Sequence, residues 1–144
     1  MGDVFRSESV AMTEEYGRNL ARELKSGTVL ALFGGMGMGK TALVRGIAAG
    51  LGLSAEVSSP TFALVHDYGG HPPLVHFDMY RVTGWEDLYS TGFFDYLDFG
   101  GILAIEWSEN IEGALPPETI FVTLNKSDED PDIRDIVIEG GQRF

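Results

Sequence analysis

A glycine-rich stretch constrains this chain more than any other part of it. Residues 34–41 read Gly-Gly-Met-Gly-Met-Gly-Lys-Thr and fit the pattern G-x-x-x-x-G-K-[ST], with Gly34, Gly39, Lys40 and Thr41 at the defining positions. Glycines allow such a loop to wrap a diphosphate with its N–H groups pointing inward, because a Cβ would block the required φ and ψ values. The pattern predicts a phosphate-binding loop.

The segments on either side of this loop support that interpretation. Residues 28–33 form a β-rich apolar run that leads into the loop, and Leu43, Ile47 and Leu51 recur after it at helical spacing. A strand, a glycine loop and a helix follow one another, so the positive end of the helix would point at the bound phosphates. Lys40 would contact the β- and γ-phosphates of a nucleoside triphosphate.

A second polar feature lies in the predicted strand over residues 74–81. Period-2 alternation divides this strand into a face of Val75, Phe77 and Met79 and a face of His76, Asp78 and Tyr80. Polar side chains in a buried strand are unusual, because an aspartate is rarely buried without a partner. Asp78 therefore either takes part in chemistry, or pairs with Arg81 or caps the next helix.

Two further residues are candidates for a metal or phosphate site. Residues 101–107 form an apolar strand that ends in Glu106, which is the form of a Walker B strand whose acid reaches Mg²⁺ or its water. The alternative is that Glu106 simply faces solvent. Thr61, which follows Pro60 at the entrance to a strand, is either a switch-like threonine that senses the γ-phosphate or metal, or an ordinary cap. Trp107 is either core or a neighbour of the nucleotide.

Composition limits the class of protein. The 144 residues predict one domain over 1–144, and the absence of cysteine excludes disulfides and thiolate metal sites. The net charge is −12, from 22 acidic and 10 basic residues, which argues against a protein that grips nucleic acid by itself. We find no signal peptide and no apolar run near the roughly 20 residues of a membrane helix, so we expect a cytoplasmic protein.

The remaining patterns predict the frame of the fold. Thr13 is the expected start of the first helix, and the capping box at 83–86 predicts a short helix over 85–90. Residues 120–124 and 133–138 are predicted strands joined by an acidic turn. We expect a three-layer α/β P-loop NTPase domain with a mixed sheet and an antiparallel C-terminal hairpin. The nucleotide would lie at the carboxyl ends of the parallel strands.

Four segments together resemble one family of small P-loop ATPases, the bacterial TsaE (YjeE) family. The matching segments are 34–41, 59–62 (Ser-Pro-Thr-Phe), 76–81 (His-Phe-Asp-Met-Tyr-Arg) and 106–109 (Glu-Trp-Ser-Glu). The resemblance implies a Mg²⁺-dependent ATPase, slow alone, that serves the N6-threonylcarbamoyladenosine (t6A) modification of tRNA. It would act with the TsaB and TsaD proteins, reach tRNA only through that complex, and have no membrane association.

The resemblance also implies roles for individual residues. Lys40 would contact phosphates, Thr41 and Glu106 would hold Mg²⁺, and Thr61 and Asp78 would take part in hydrolysis or switching, which makes Lys40, Thr61, Asp78 and Glu106 the candidate catalytic set. The expected nucleotide contacts are Gly34, Gly35, Met36, Gly37, Met38, Gly39, Lys40, Thr41, Ala42 and Trp107. Family loops often carry an acid where this chain has Gly35, so the family's nucleotide affinity does not carry over.

Three other functions compete with this one. A GTPase would use residues 125–128, which fit the guanine-reading pattern N-K-x-D, together with 67–70, which fit D-x-x-G. However, 125–128 lie in the predicted hairpin turn, where Asn, Ser and Asp are expected anyway. A small-molecule kinase would need an Arg-rich lid, and the seven arginines do not cluster. A nucleotide-gated binding module would differ only in its negligible turnover.

Overall fold

The fold is built on one mixed β-sheet. The computed structural model describes residues 3–34, 38–53 and 65–140. Seven strands of this described part pair in the order β1-β7-β6-β2-β5-β4-β3. Their bounds are β1 Asp3–Ser7, β2 Val29–Phe33, β3 Val65–Gly70, β4 Pro73–Asp78, β5 Ile102–Glu106, β6 Ile120–Lys126 and β7 Arg134–Gly140.

Helices cover both faces of the sheet. They are α1 Val10–Ala21, α2 Lys40–Gly50, α3 Trp85–Ser90, α4 Phe93–Asp98 and a 3-10 helix, Ser108–Ala114, which is interrupted at Ile111. In the part of the chain that the structure describes, no helix combines the length and the apolar character needed to cross a membrane.

Two hydrophobic cores define three layers. One core packs α1 and α2 against one face of the sheet, through residues such as Leu30, Leu43 and Val122. The other lies on the opposite face and includes Val75, Phe77 and Met79 with residues of α3 and α4. The alternation predicted for β4 is therefore confirmed as far as Asp78, where the strand ends, so Tyr80 lies beyond it. The three-layer α/β fold with its mixed sheet is also confirmed.

Parallel pairing brings several strand ends to one edge of the sheet. Strands β4, β5, β2 and β6 pair in parallel, so their carboxyl ends lie side by side. In this register Glu106 lies opposite Leu32 on one neighbour and opposite Asp78 on the other. The predicted C-terminal hairpin is confirmed as the antiparallel pair β6–β7.

Helices α1 and α2 approach each other unusually closely. A Cβ added at Gly46 of α2 would lie 2.0 Å from the carbonyl oxygen of Glu14, and one added at Gly17 of α1 would lie 2.4 Å from that of Leu43. Across the same pair, the Arg45 guanidinium lies 2.6 Å from the Glu14 carboxylate. Glycines at this contact fix the position of α2, which begins at the predicted loop.

The structure corrects some helix and strand predictions. The first helix begins at Val10, because Ser9 is its N-cap and accepts a hydrogen bond from the backbone N–H of Met12 at 3.1 Å. Thr13 is instead buried, with its hydroxyl 2.7 Å from that of Ser7.

Other elements differ from the patterns in smaller ways. The helix over 85–90 forms as predicted, but its N-cap is Gly84, and Thr83 donates to Asp87 rather than to Glu86. The short strand β1 and the antiparallel pairing of β3 with β4 were not predicted, although a strand was expected at each of the positions of β3 and β4.

Candidate functional site

The amino end of helix α2 follows the predicted phosphate-binding loop and presents the first backbone N–H groups of the helix. Gly39 is its N-cap, with φ of 103°, and as a glycine it makes no side-chain cap hydrogen bond. The hydrogen bond from Leu43 N to Gly39 O, at 3.0 Å, is the first of the helix. The N–H groups of Lys40, Thr41 and Ala42 precede this hydrogen bond in the helix. N–H groups at this position, together with the helix dipole, attract and bind anions.

The first glycine of the loop sits where a side chain would not fit. Gly34 has φ of 139°, and a Cβ there would lie 2.7 Å from the carbonyl oxygen of Leu124. Met38, near the other end of the loop, packs partly buried against the core beneath α1 and α2. The predicted contacts Gly35, Met36 and Gly37 lie outside the described residues.

The Lys40 side chain contacts the residue that follows β2 and the last residue of β5. Its Nζ donates to the carbonyl oxygen of Gly34 at 2.7 Å and lies 3.2 Å from Oε1 of Glu106. Both side chains are largely buried, at 12% and 8% exposure. The loop lysine and the carboxylate at the tip of β5 therefore form one charged pair.

Glu106 is held on its other side by a residue to which the sequence assigned no role. The Nε2 of His76 lies 2.7 Å from Oε2 of Glu106, and the imidazole is fully buried. Burial raises the pKa of the Glu106 carboxyl, but the hydrogen bond and charge of His76 and the ammonium of Lys40 outweigh it, so the pKa lies below its ordinary value. The alternative that Glu106 faces solvent is wrong, because the residue is only 6% exposed.

Asp78 ends the strand next to Glu106. It lies opposite Glu106 in the β4–β5 register, and its Oδ1 accepts a hydrogen bond from the backbone N–H of Tyr80 at 2.9 Å. The carboxylate thus shapes the turn that leaves β4, at the same edge of the sheet as Lys40. It is half-buried, so part of it faces solvent there.

Trp107 follows Glu106 in an uncommon backbone conformation. Its φ of 61° lies in the left-handed region, which non-glycine residues rarely adopt. Its ring meets that of Tyr80 edge-on, with centroids 4.9 Å apart, and the residue is 43% exposed. Trp107 is therefore not core, and the interpretation that it neighbours a nucleotide stays a prediction. The turn that includes Tyr80 is held by Asn110, which the sequence did not single out. Its Nδ2 donates to the carbonyl oxygens of Met79 and Tyr80 at 2.8 and 3.2 Å.

The structure brings most of the candidate residues to one edge of the sheet. Gly34, Lys40 and Glu106 are in direct contact, while Asp78 and Trp107 are their neighbours. Thr61 lies outside the described residues. His76 is the residue that the sequence analysis missed, and the available signal was its place with Asp78 on the polar face of a buried strand.

The segments proposed for guanine reading have structural positions of their own. Asn125 and Lys126 lie within β6, paired with Asp135 and Arg134, and Ser127 N donates to Ile133 O at 2.9 Å. The hairpin is confirmed, but the prediction that all of 125–128 lies in its turn is wrong, because Asn125 and Lys126 continue strand β6. Asp67, the first residue of the D-x-x-G pattern, accepts from Gly69 N at 2.8 Å within the β3–β4 hairpin.

The donor set of the site fits a magnesium nucleotide. Magnesium is usually held by one or two protein oxygens together with substrate phosphates and water. Thr41 lies in the first turn of α2 and Glu106 ends β5, and Lys40 of the same turn lies 3.2 Å from Glu106, so a hydroxyl-bearing residue and a carboxylate belong to neighbouring parts of the site. Among residues 3–34, 38–53 and 65–140, no group of three or more His, Cys, Asp or Glu residues could form a self-contained metal site.

Comparisons with known proteins agree with this arrangement. The family model described as "Threonylcarbamoyl adenosine biosynthesis protein TsaE" matches residues 7–136. The TsaE protein of Treponema pallidum is 37% identical over 118 residues, which cover 82% of this chain and 87% of that protein. The TsaE protein of Streptomyces coelicolor is 35% identical over 136 residues, covering 90% and 92%.

A solved structure gives the same result for the fold. The crystal structure of Bacillus subtilis YdiB superposes with a TM-score of 0.81 at 29% identity, covering 99% of this chain and 87% of that one. The family match extends from β1 into β7, so it includes every described residue of the candidate site. The chain therefore belongs to the TsaE family.

Proposed function

We propose that this chain is the ATP-binding and ATP-hydrolysing component of the bacterial t6A modification system of tRNA. It acts in the cytoplasm as a single nucleotide-binding domain over residues 1–144, together with TsaB and TsaD. Its relatives carry the name "tRNA threonylcarbamoyladenosine biosynthesis protein TsaE". This name supports the pathway, and the site geometry supports the chemistry.

One observation carries the proposal: a buried pair of opposite charges lies beside the start of a helix. Lys40 and Glu106 are 3.2 Å apart at the carboxyl edge of the sheet, next to the N-terminal N–H groups of α2. A cation, a helix end and a loop of glycines bind phosphate, and a carboxylate at a strand tip binds the metal that accompanies it. Together they make a site for a nucleoside triphosphate with Mg²⁺.

Each residue of the candidate site has a separate role in ATP hydrolysis. Lys40 exchanges its Glu106 partner for the phosphates and neutralises charge that develops on the γ-phosphoryl group, while the first N–H groups of α2 orient the phosphate chain. Thr41 and Glu106 hold Mg²⁺, which when bound spreads the charge of the phosphate oxygens. Asp78 and Thr61 act on the attacking water or in switching, and Trp107 lies near the nucleotide.

The partners complete a site that is slow by itself. Phosphoryl-transfer sites often receive a missing charged group from a second protein, and such groups raise turnover by several orders of magnitude. We therefore expect ATP turnover to rise when TsaB and TsaD are added.

The test measures phosphate release from ATP and from GTP, with and without TsaB and TsaD from the same source. We expect slow release from ATP by the chain alone, an increase of at least about tenfold with both partners, and little release from GTP. The control is Lys40→Met, which should remove the ATP signal under both conditions. Turnover that persists in Lys40→Met would come from a contaminating ATPase or would show that hydrolysis does not need Lys40, and ATP binding by the same variant distinguishes the two.

The same measurement distinguishes the proposed ATPase from the competing functions. Preferential turnover of GTP would make Asn125 to Asp128 a base-reading segment and would overturn the ATP assignment. ATP binding without turnover, even with both partners present, would instead leave a nucleotide-gated binding module. In that case the hydrolytic roles given to Asp78 and Thr61 would be wrong.

A further inference from the structure

His76 is a buried polar residue that the proposed chemistry does not yet use. It is fully buried on the face of β4 that packs toward α2, among apolar side chains such as Leu74 and Ala104. Burying a polar group costs free energy unless the group finds a hydrogen-bond partner. An imidazole in this position therefore needs a defined partner.

That partner is the carboxylate of Glu106. The His76 Nε2 lies 2.7 Å from Oε2, while the Lys40 Nζ lies 3.2 Å from Oε1, so each carboxylate oxygen has its own contact. Two contacts on two different oxygens fix both the position and the plane of the carboxylate. The histidine contact is the shorter of the two.

The direction of the His76 hydrogen bond follows from the ion pair on the other side of the acid. The ammonium of Lys40 lies 3.2 Å from Oε1 of Glu106, so the two side chains pair as ammonium and carboxylate. An ionised carboxylate only accepts, so Nε2–H of His76 is the donor. The other ring nitrogen, Nδ1, faces the hydroxyl of Tyr68 at 3.5 Å, and Tyr68 in turn lies 3.2 Å from Nδ1 of His66.

Nucleotide binding should affect the two contacts of Glu106 differently. Under the proposed function Lys40 turns to the phosphates, and Oε1 loses its partner. His76 lies on β4, which is paired on both sides, with β3 and with β5, so we expect its hydrogen bond to Oε2 to be retained. The orientation of the carboxylate in the working site then depends on His76.

We propose that His76 is a positioning residue that holds the Glu106 carboxylate in place for the metal-bound nucleotide. This inference rests on the proposed function, because it assumes that Glu106 serves Mg²⁺. Groups that orient metal ligands from behind typically change metal affinity by about 10- to 100-fold when they are removed. The expected defect is therefore in the use of Mg²⁺ and not in the binding of the nucleotide itself.

The experiment compares three proteins: wild type, His76→Leu and His76→Gln. Leucine fills the buried site without a donor, whereas the Gln amide offers a donor near the position of Nε2. Binding of a fluorescent ATP analogue is measured in EDTA and across a Mg²⁺ titration. We expect similar binding in EDTA for all three, a Mg²⁺ midpoint raised about 10- to 100-fold in His76→Leu, and recovery of most of that shift in His76→Gln.

Thermal unfolding without nucleotide provides the structural control. If His76→Leu loses binding equally in EDTA and in Mg²⁺, the residue is only structural and the inference is overturned. It is also overturned if all three Mg²⁺ midpoints coincide. If His76→Leu does not fold, His76→Met replaces it as the buried variant without a donor, and the same outcomes support or overturn the inference. A wild type that shows no Mg²⁺-dependent ATP binding would instead contradict the proposed function.

Discussion

At the scale of single residues, Lys40 is the most direct test of the site. Lys40→Met should weaken ATP binding by about 10- to 100-fold, because hydrogen bonds to charged groups contribute about 1.5–3 kcal/mol. Isothermal titration calorimetry gives the affinity. The matched control is Lys25→Met, an exposed lysine that precedes the amino end of β2 and thus lies away from the carboxyl edge. Equal affinities for wild type and Lys40→Met would remove Lys40 from the phosphate site.

Glu106 and Asp78 are adjacent carboxylates to which we assign different tasks. Glu106→Gln should lose Mg²⁺-dependent ATP binding about tenfold or more while binding in EDTA changes little, because the amide supplies a weaker metal ligand. Asp78→Asn keeps the Oδ1 that accepts from Tyr80 N, so the turn should persist. We expect Asp78→Asn to reduce kcat without changing Mg²⁺-dependent binding. Identical defects in the two variants would show that the tasks are not divided.

The chemical role of a residue could be predicted from the sequence where a short local motif defines that role. The loop pattern locates Lys40 because its spacing is local, and the apolar run before Glu106 marks the tip of a strand. The contact between His76 and Glu106 could not be predicted, because it joins residues 30 positions apart and depends on the register of β4 against β5. A polar face on a buried strand indicates that a partner exists but not which residue it is.

At the scale of elements, the contact between α1 and α2 determines where the phosphate-binding helix lies. Gly46→Ala should lower the free energy of unfolding by about 1–3 kcal/mol, because the new Cβ would lie 2.0 Å from the carbonyl oxygen of Glu14 and force the helices apart. Urea unfolding measures this change. Gly113→Ala is the control, because a Cβ there meets nothing within 4 Å. A Gly46→Ala protein as stable as wild type would show that the helices separate without cost.

Helices and strands with a strong hydrophobic periodicity or a capping motif could be predicted from the sequence, but β1 and α4 could not. The strand before the loop and the helix after it follow from apolar spacing alone. Strand β1 has only five residues and pairs with β7 at the far end of the chain, so its pairing leaves no local signal. Helix α4 has six residues, and its aromatic composition indicates burial more than helicity.

At the scale of the whole molecule, charge argues that the chain meets tRNA only through partners. Its net charge is −12, and Arg6, Arg18 and Arg45 are each paired with a carboxylate, so these side chains are not available to phosphates without breaking a pair. We expect no tRNA binding by the chain alone at physiological salt, and binding once TsaB and TsaD are present, by fluorescence anisotropy of labelled tRNA. Lowering the salt distinguishes a concealed basic surface, because phosphate contacts strengthen steeply as salt falls. Tight, salt-sensitive binding by the chain alone would contradict the prediction and place a nucleic-acid surface on this protein itself.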